Sequence, residues 1–216
     1  MSTRGKLITL EGGEGAGKSS TAGALKTALG EHGYRVLLTQ EPAATELGKQ
    51  IWRLFQLDQS EPSRKPIHPT AELFLFAADR AQHVAEIVVP ALDDGKVVLC
   101  ARYTDSTLAY QGHGRGLSLD HLRAINHVAT GGLLPDLTLL LDVPVETGLS
   151  RKVGESQSDY LGQEGKEFHA RVRNGYLELA AREPKRFQVI DATLPPDEVS
   201  RRCWEPVRRL LDQISS

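Results

Sequence analysis

Gly12-Gly13-Glu14-Gly15-Ala16-Gly17-Lys18-Ser19 fits G-x-x-x-x-G-K-[ST], the consensus of a phosphate-binding loop. Lys6-Leu7-Ile8-Thr9-Leu10 precedes it as a short apolar strand. Ser20 to Leu29 follows it, with Ala22, Leu25 and Leu29 on one helical stripe. Gly33 then supplies a helix stop. The motif therefore sits between a strand and a helix, which is the context it requires. Its glycines let successive backbone N–H groups turn inward toward phosphate oxygens. The helix N-terminus adds a partial positive charge. Lys18 can reach the β- and γ-phosphates of a nucleotide, and the Ser19 hydroxyl can ligate Mg²⁺. The competing explanation is a glycine-rich turn that matches by chance; the flanking strand and helix argue against it.

The chain has 216 residues, the length of one large domain with a sizeable core. Its formal net charge of -2 advertises no basic face for nucleic acid. No run of 18 apolar residues and no apolar signal region occurs, so no membrane association and a cytoplasmic location are expected. Cys100 ends an apolar strand and Cys203 lies on a helical stripe, which predicts buried free thiols and no disulfide. The seven histidines are scattered without metal-ligand spacing.

Outward from the loop, strands and helices alternate. Tyr34 to Thr39 reads as a second strand, followed by the turn Gln40-Glu41-Pro42-Ala43-Ala44-Thr45. Leu47, Ile51, Leu54 and Phe55 make a short amphipathic helix. Residues 56–69, with three prolines, read as loop. Thr70 is expected to cap a long helix whose face carries Leu73, Phe76, Ala77, Arg80, Ala81 and Val84. Arg80 lies one turn from Phe76. This pair admits two explanations: a core phenylalanine with an arginine snorkelling outward, or a base-stacking ring beside a guanidinium.

Val97 to Cys100 is a third strand, with Arg102 and Tyr103 at its carboxyl end, where doubly wound sheets place ligands. Tyr110 to Gly116 reads as a glycine-rich loop. Ser118 is placed to cap a helix with Leu119, Leu122, Ile125 and Val128. Leu137 to Asp142 is a fourth strand, apolar throughout as if buried on both faces. Pro144 opens the next helix. Residues 152–165 are polar and glycine-bearing, like a flap. A helix through Phe168, Val172 and Tyr176 leads to a fifth strand, Phe187 to Ile190. A terminal helix follows with Val199, Cys203, Val207, Leu210 and Ile214 on one side. The pattern predicts an α/β fold, a parallel sheet of about five strands covered by helices on both faces.

These residues resemble the bacterial thymidylate kinases, P-loop enzymes that move a phosphoryl group from ATP to dTMP. The resemblance runs end to end. It is carried by Leu10 to Lys18, by Glu41-Pro42 with Thr45, by Leu73 to His83, and by Arg102-Tyr103-Thr104-Asp105-Ser106. Ala109 to Gly112 with Gly114-Arg115-Gly116, Pro135 to Asp142, Tyr176 to Ala180 and Ile190 to Thr193 complete it. It implies a single P-loop kinase domain over 1–216, with a flap at about 151–165 and a homodimer formed through helices. It also implies roles. Gly12, Gly13, Glu14, Gly15, Ala16, Gly17, Lys18, Ser19 and Ser20 would bind ATP, and Asp191-Ala192 would flank adenine. Phe76 would stack on thymine and Arg80 would bond its carbonyl edge, with Thr107 and Gln111 near the base. Tyr110 would lie against the sugar. Glu14 would sit near the sugar 3′-hydroxyl and, with Ser19, near Mg²⁺. Arg102 would hold the acceptor phosphate.

Four departures from the family pattern stand out. Ala101 replaces the acid that usually precedes Arg102. Ala43-Ala44 replaces a glycine pair, although alanine tolerates φ > 0 poorly. Gln40 replaces an arginine. In the flap, Asp159 is followed by Tyr160, and Glu155 holds an arginine position. Arg151 and Lys152 remain there as candidate cations, with Arg115, Arg171 and Arg173 as compensating ones. Such changes leave two alternatives beside dTMP phosphorylation: a kinase for a modified or different pyrimidine nucleotide, and a catalytically weak nucleotide-binding homologue.

Overall fold

Leu137 to Leu141 are buried without a break, and so are Val97 to Ala101. Strands with this pattern need cover on both faces, and the topology supplies it. A computed structural model describes residues 4–56, 66–151 and 161–212. Among them, β1 (Lys6–Glu11), β2 (Val36–Gln40), β3 (Val97–Ala101), β4 (Leu137–Asp142) and β5 (Phe187–Asp191) form one sheet in the order β2-β3-β1-β4-β5. Every pairing is parallel. The fold class read from the sequence is the one observed. The edge strands β2 and β5 are less buried, with Leu38 and Val189 exposed.

Alternate residues of β1 feed opposite layers, because side chains switch face at each step along a strand. Ile8 and Leu10 pack with α1 (Lys18–Glu31) and α9 (Pro196–Asp212) through Ala22, Leu25, Leu29, Cys203 and Val207. Leu7 faces the other layer with Val84, Val88, Leu92 and Val98. That layer holds α3 (Pro69–His83), a π-helical turn Val84–Val88 and α4 (Val89–Asp93). It continues through α6 (Leu119–Thr130) and α8 (Lys166–Arg182), where Leu122, Phe168, Val172 and Tyr176 form a further cluster. The short helices α2 (Glu46–Arg53), α5 (Thr104–Thr107) and α7 (Val145–Arg151) follow the carboxyl ends of β2, β3 and β4. Both cysteines are buried and free. Among the described residues no helix is long and apolar enough to cross a membrane.

Several local expectations are corrected. Most of Tyr110 to Gly116 is not a loop: Leu108–Gly114 is π-helical, and only Arg115 and Gly116 lie outside it. Its glycines serve close packing. A Cβ at Gly112 would lie 2.5 Å from Leu119 Cδ2, and one at Gly114 would lie 2.7 Å from Phe168 Cε2. Helix α3 begins at Pro69, and His68 caps it by accepting from the Thr70 N–H at 3.2 Å. Proline's fixed φ suits that first helical position. Of the expected apolar stripe, Ile51 of α2 and Phe55 just beyond it are buried, while Leu47 and Leu54 are exposed. Ala81 of α3 and Val128 of α6 face outward, and the polar residues Glu72, Asp79, His83 and Asn126 take buried positions. In α9, Leu211 is buried and Leu210 only partly. Ile214 and flap residues 152–160 lie outside the described residues.

Candidate active site

The loop after β1 closes tightly because glycine permits it. Gly12, Gly15 and Gly17 have φ of +139°, +63° and +86°. A Cβ at Gly15 would meet the Gly148 carbonyl oxygen at 1.9 Å, so this loop tolerates no side chain there. Lys18 Nζ reaches back over the loop, donating to the carbonyls of Gly12 (3.0 Å) and Gly13 (2.8 Å).

Across from it, β3 delivers Arg102. This residue adopts φ +68°, unusual for a side chain with Cβ. Three hydrogen bonds hold the turn. Arg102 N donates to Leu10 O (3.0 Å), Tyr103 N to Glu11 Oε1 (2.7 Å), and Cys100 Sγ to Arg102 O (3.1 Å). The guanidinium thus points at the loop: Nη2 donates to Glu14 Oε1 at 2.6 Å. The Tyr110 hydroxyl donates to the same oxygen at 2.9 Å, and the Tyr110 ring lies 4.9 Å from the Arg102 guanidinium carbon.

A cleft of about 280 Å³ runs from Lys18 and Ser19 past Arg102 to Phe76, Arg80, Thr107 and Gln111. Glu14 and Tyr110 also line it. Phe76 stacks on Phe55 with centroids 4.4 Å apart and planes 22° apart. Phe55 in turn stacks on Trp52. One face of Phe76 is therefore backed, which stiffens the ring for a flat partner on its other side.

Arg80 is only 3% exposed, so it does not snorkel outward. Its Nε donates to Glu41 Oε2 (2.8 Å), and Nη1 to Thr107 Oγ1 and Asn126 Oδ1 (both 2.7 Å). Nη2 donates to Tyr103 O (3.0 Å) and also pairs with Glu41. Four hydrogen bonds and the ion pair with Glu41 tie the guanidinium to protein. Arg80 thus positions the wall of the cleft through Thr107.

Asp191, Ala192 and Arg151 gather elsewhere, past the end of β4. Arg151 Nη1 donates to Ala192 O at 2.8 Å, and Ala192 N to Asp142 O. The candidate compensating cations are likewise tethered. Arg173 is bidentate to Asp142 (2.7 and 2.8 Å), Arg171 donates to Gly114 O, and Arg115 pairs with Glu72 and Glu164. None of these four lines the cleft.

Four acids escaped the sequence reading. Glu11 is fully buried and accepts from Tyr103 N, Ser106 Oγ (2.6 Å) and Tyr176 OH (2.9 Å). Burial, aided by Asp105, pushes its carboxyl up to about 7. Asp79 accepts from Ala43 N at 3.0 Å, and burial raises it to about 6. Glu41 holds both Arg80 and His83. Glu72 is fully buried behind Gln111. Their signal was available: an acid ending an apolar strand, and acids on the same helix as Arg80 three and four residues from its apolar positions.

Comparison with known proteins agrees with this geometry. The family model described as thymidylate kinase matches residues 10–203. A thymidylate kinase of Synechococcus sp. is 50% identical over 201 residues, covering 93% of each chain. One of Desulfovibrio desulfuricans is 48% identical over 212 residues, covering 95% of this chain and 96% of its own. The crystal structure of thymidylate kinase from Ehrlichia chaffeensis superposes with a TM-score of 0.76 at 28% identity, covering 94% of this chain and 99% of its own. With a family model matching most of its length and relatives about half identical over nearly the whole chain, this chain belongs to the thymidylate kinase family.

Proposed function

We propose that this protein transfers the γ-phosphoryl group of ATP to dTMP, giving ADP and dTDP. The observation that carries this is one continuous cleft. It joins the phosphate-binding loop to a ring-lined pocket, with Arg102 between them. Phosphoryl transfer asks little covalent chemistry of a protein; it asks for alignment and for cations around converging anions. The loop N–H groups and Lys18 hold the donor phosphates. Arg102 offers a planar fork for the acceptor phosphate, and Tyr110 supports both that arginine and Glu14. Phe76 takes the base, with Thr107 and Gln111 at its edge. Asp191 and Ala192 flank adenine, and Arg151 secures that loop through the Ala192 carbonyl.

Mg²⁺ fits this cleft as a passenger of ATP. Among the described residues no cluster of three or more His, Cys, Asp or Glu side chains could hold a metal. The oxygen donors facing the cleft near the loop are the Ser19 hydroxyl and the Glu14 carboxylate. That sparse set suits a cation bound mainly by phosphates and water. When bound, it neutralises charge on the donor phosphates. Ala101 adds no carboxylate there.

Residues 1–216 make one kinase domain in this proposal, with a flap at 151–165, working in the cytoplasm. The protein works as a homodimer. Leu47 of α2 with Leu54 at its carboxyl end, Phe74 of α3 and Val128 of α6 are exposed apolar residues at helices that pack together, a surface suited to a second copy. The deciding experiment is a coupled ADP-release assay with ATP, Mg²⁺ and a panel of nucleoside monophosphates. Turnover of dTMP well above dCMP and dGMP is the expected result; no turnover of dTMP would refute the proposal. Light scattering at twice the mass of the chain would bear out the dimer.

A further inference from the structure

Gln111 is almost fully buried, lines the cleft beside Thr107, and donates from Nε2 to Glu72 Oε1 at 2.7 Å. Glu72 is completely buried, and Arg115 holds it, with Nη2 3.1 Å from Oε2 and Nε 3.4 Å from Oε1. A carboxylate only accepts hydrogen bonds. The amide nitrogen of Gln111 must therefore face Glu72. Turning the amide by half a revolution would set its oxygen against a buried carboxylate oxygen. Amide orientation is commonly ambiguous; here the neighbouring charge dictates it. The carbonyl oxygen of Gln111 is left as the branch away from Glu72. A parallel constraint acts on Thr107. Its Oγ1 accepts from Arg80 Nη1, so its own O–H remains a donor.

We propose that Glu72 is a specificity-determining positioning residue. It fixes the Gln111 amide to accept pyrimidines that present a ring N–H beside a carbonyl, and to reject those that present a bare ring nitrogen beside an amino group. The inference rests on placing the base beside Phe76. Thymine and uracil offer N3–H to the Gln111 carbonyl oxygen, and their C4 carbonyl accepts from the second amide N–H or the Thr107 hydroxyl. Cytosine would set N3 against the Gln111 oxygen, acceptor against acceptor, and its amino group against a donor. A turned Gln111 would suit cytosine equally well. Discrimination therefore lies in what prevents the turn, and buried polar mismatches of this kind are costly.

The test is kcat/KM for dTMP, dUMP and dCMP in the wild type and in Glu72→Gln. A glutamine at 72 can offer either an oxygen or a nitrogen, so Gln111 is freed to turn. The dTMP-to-dCMP ratio is expected to fall by roughly tenfold or more. The dTMP-to-dUMP ratio stays within about twofold, because those two bases share the edge that Gln111 meets, and so does KM for ATP. An unchanged dTMP-to-dCMP ratio, or a fall of both ratios in step, would overturn the proposal. If a melting curve shows Glu72→Gln unfolded, Glu72→Gln/Arg115→Met removes the cation that Glu72 no longer neutralises and is assayed with the same two outcomes. If the wild type turns over none of the three, the proposed reaction has failed. The selectivity is then measured as dissociation constants of dTMP and dCMP, and equal values in the wild type would overturn it.

Discussion

Glu11 and Arg102 are joined through one peptide: Glu11 Oε1 accepts the Tyr103 N–H at 2.7 Å, immediately after Arg102 turns left-handed at φ +68°. The acid that ends β1 thus clamps the backbone that aims the arginine at Glu14. Its other oxygen ties in Ser106 of the cleft wall and Tyr176 of α8. Glu11→Ala would strand the Tyr103 N–H, at about 1–3 kcal/mol when buried, and leave the Ser106 and Tyr176 hydroxyls their bond to each other in place of the carboxylate. We expect a lower melting temperature together with a fall in kcat/KM for dTMP. A variant with wild-type kcat/KM would show that Arg102 keeps its aim without the clamp.

The raised carboxyl of Glu11 makes stability depend on pH. Burial lifts it from 4.5 to about 7, so between those values the native state binds the proton that the unfolded chain releases. Native stability therefore declines as pH rises from about 4.5 to about 7 and levels off above that window. The loss attributable to Glu11 is on the order of 3 kcal/mol. Asp79 adds a similar decline between 3.8 and about 6. In denaturant titrations, the stability of Glu11→Gln relative to the wild type should climb from pH 5 to pH 7 and stay flat beyond. A difference independent of pH would contradict this.

Ala43, the first residue of the Ala43-Ala44 pair, adopts a left-handed φ of +76°. Asp79 holds it through the Ala43 N–H. A left-handed alanine costs roughly 1–2 kcal/mol, part of which glycine returns as unfolded-state entropy. Ala43→Gly should therefore stabilise the protein by about 0.5–1 kcal/mol, while Ala44→Gly, at a residue without positive φ, should destabilise it. Paired melting curves decide between strain and indifference.

Gln40 and Ala101 are cross-strand partners in the β2–β3 register, so two of the family departures form a single pair. Both line the cleft. Ala101→Asp alone would place a largely buried carboxylate beside a neutral amide, at a cost of about 1–3 kcal/mol. Adding Gln40→Arg should recover most of that loss. A double-mutant cycle with no coupling would show that the two positions drifted independently.

Lys18 and Arg102 both line the cleft, and in the proposed reaction they flank the transferring phosphoryl group. Lys18→Ala and Arg102→Ala should each lower kcat by roughly a thousandfold, the scale of a lost transition-state cation. Near-normal turnover in either variant would refute the mechanism.

The sequence by itself determined the loop and the architecture. A glycine-lysine-serine signature between an apolar strand and a helix has few other uses, and unbroken apolar strands require helices on both faces. Those are local properties, carried by residue type and period. The tertiary structure decided what each polar group does. Arg80, next to Phe76 in every helical projection, spends its donors on Glu41, Thr107, Asn126 and Tyr103, residues from 23 to 46 positions removed that only the fold assembles. The glycines of 112–114 read as loop because small residues make chain turns and close helix packing look alike in sequence. Glu11 and Glu72 carried a local signal, an acid ending an apolar strand and an acid among apolar helix positions, but their partners were not legible. A buried acid is tolerated only when donors converge on it from several elements, and that convergence is three-dimensional.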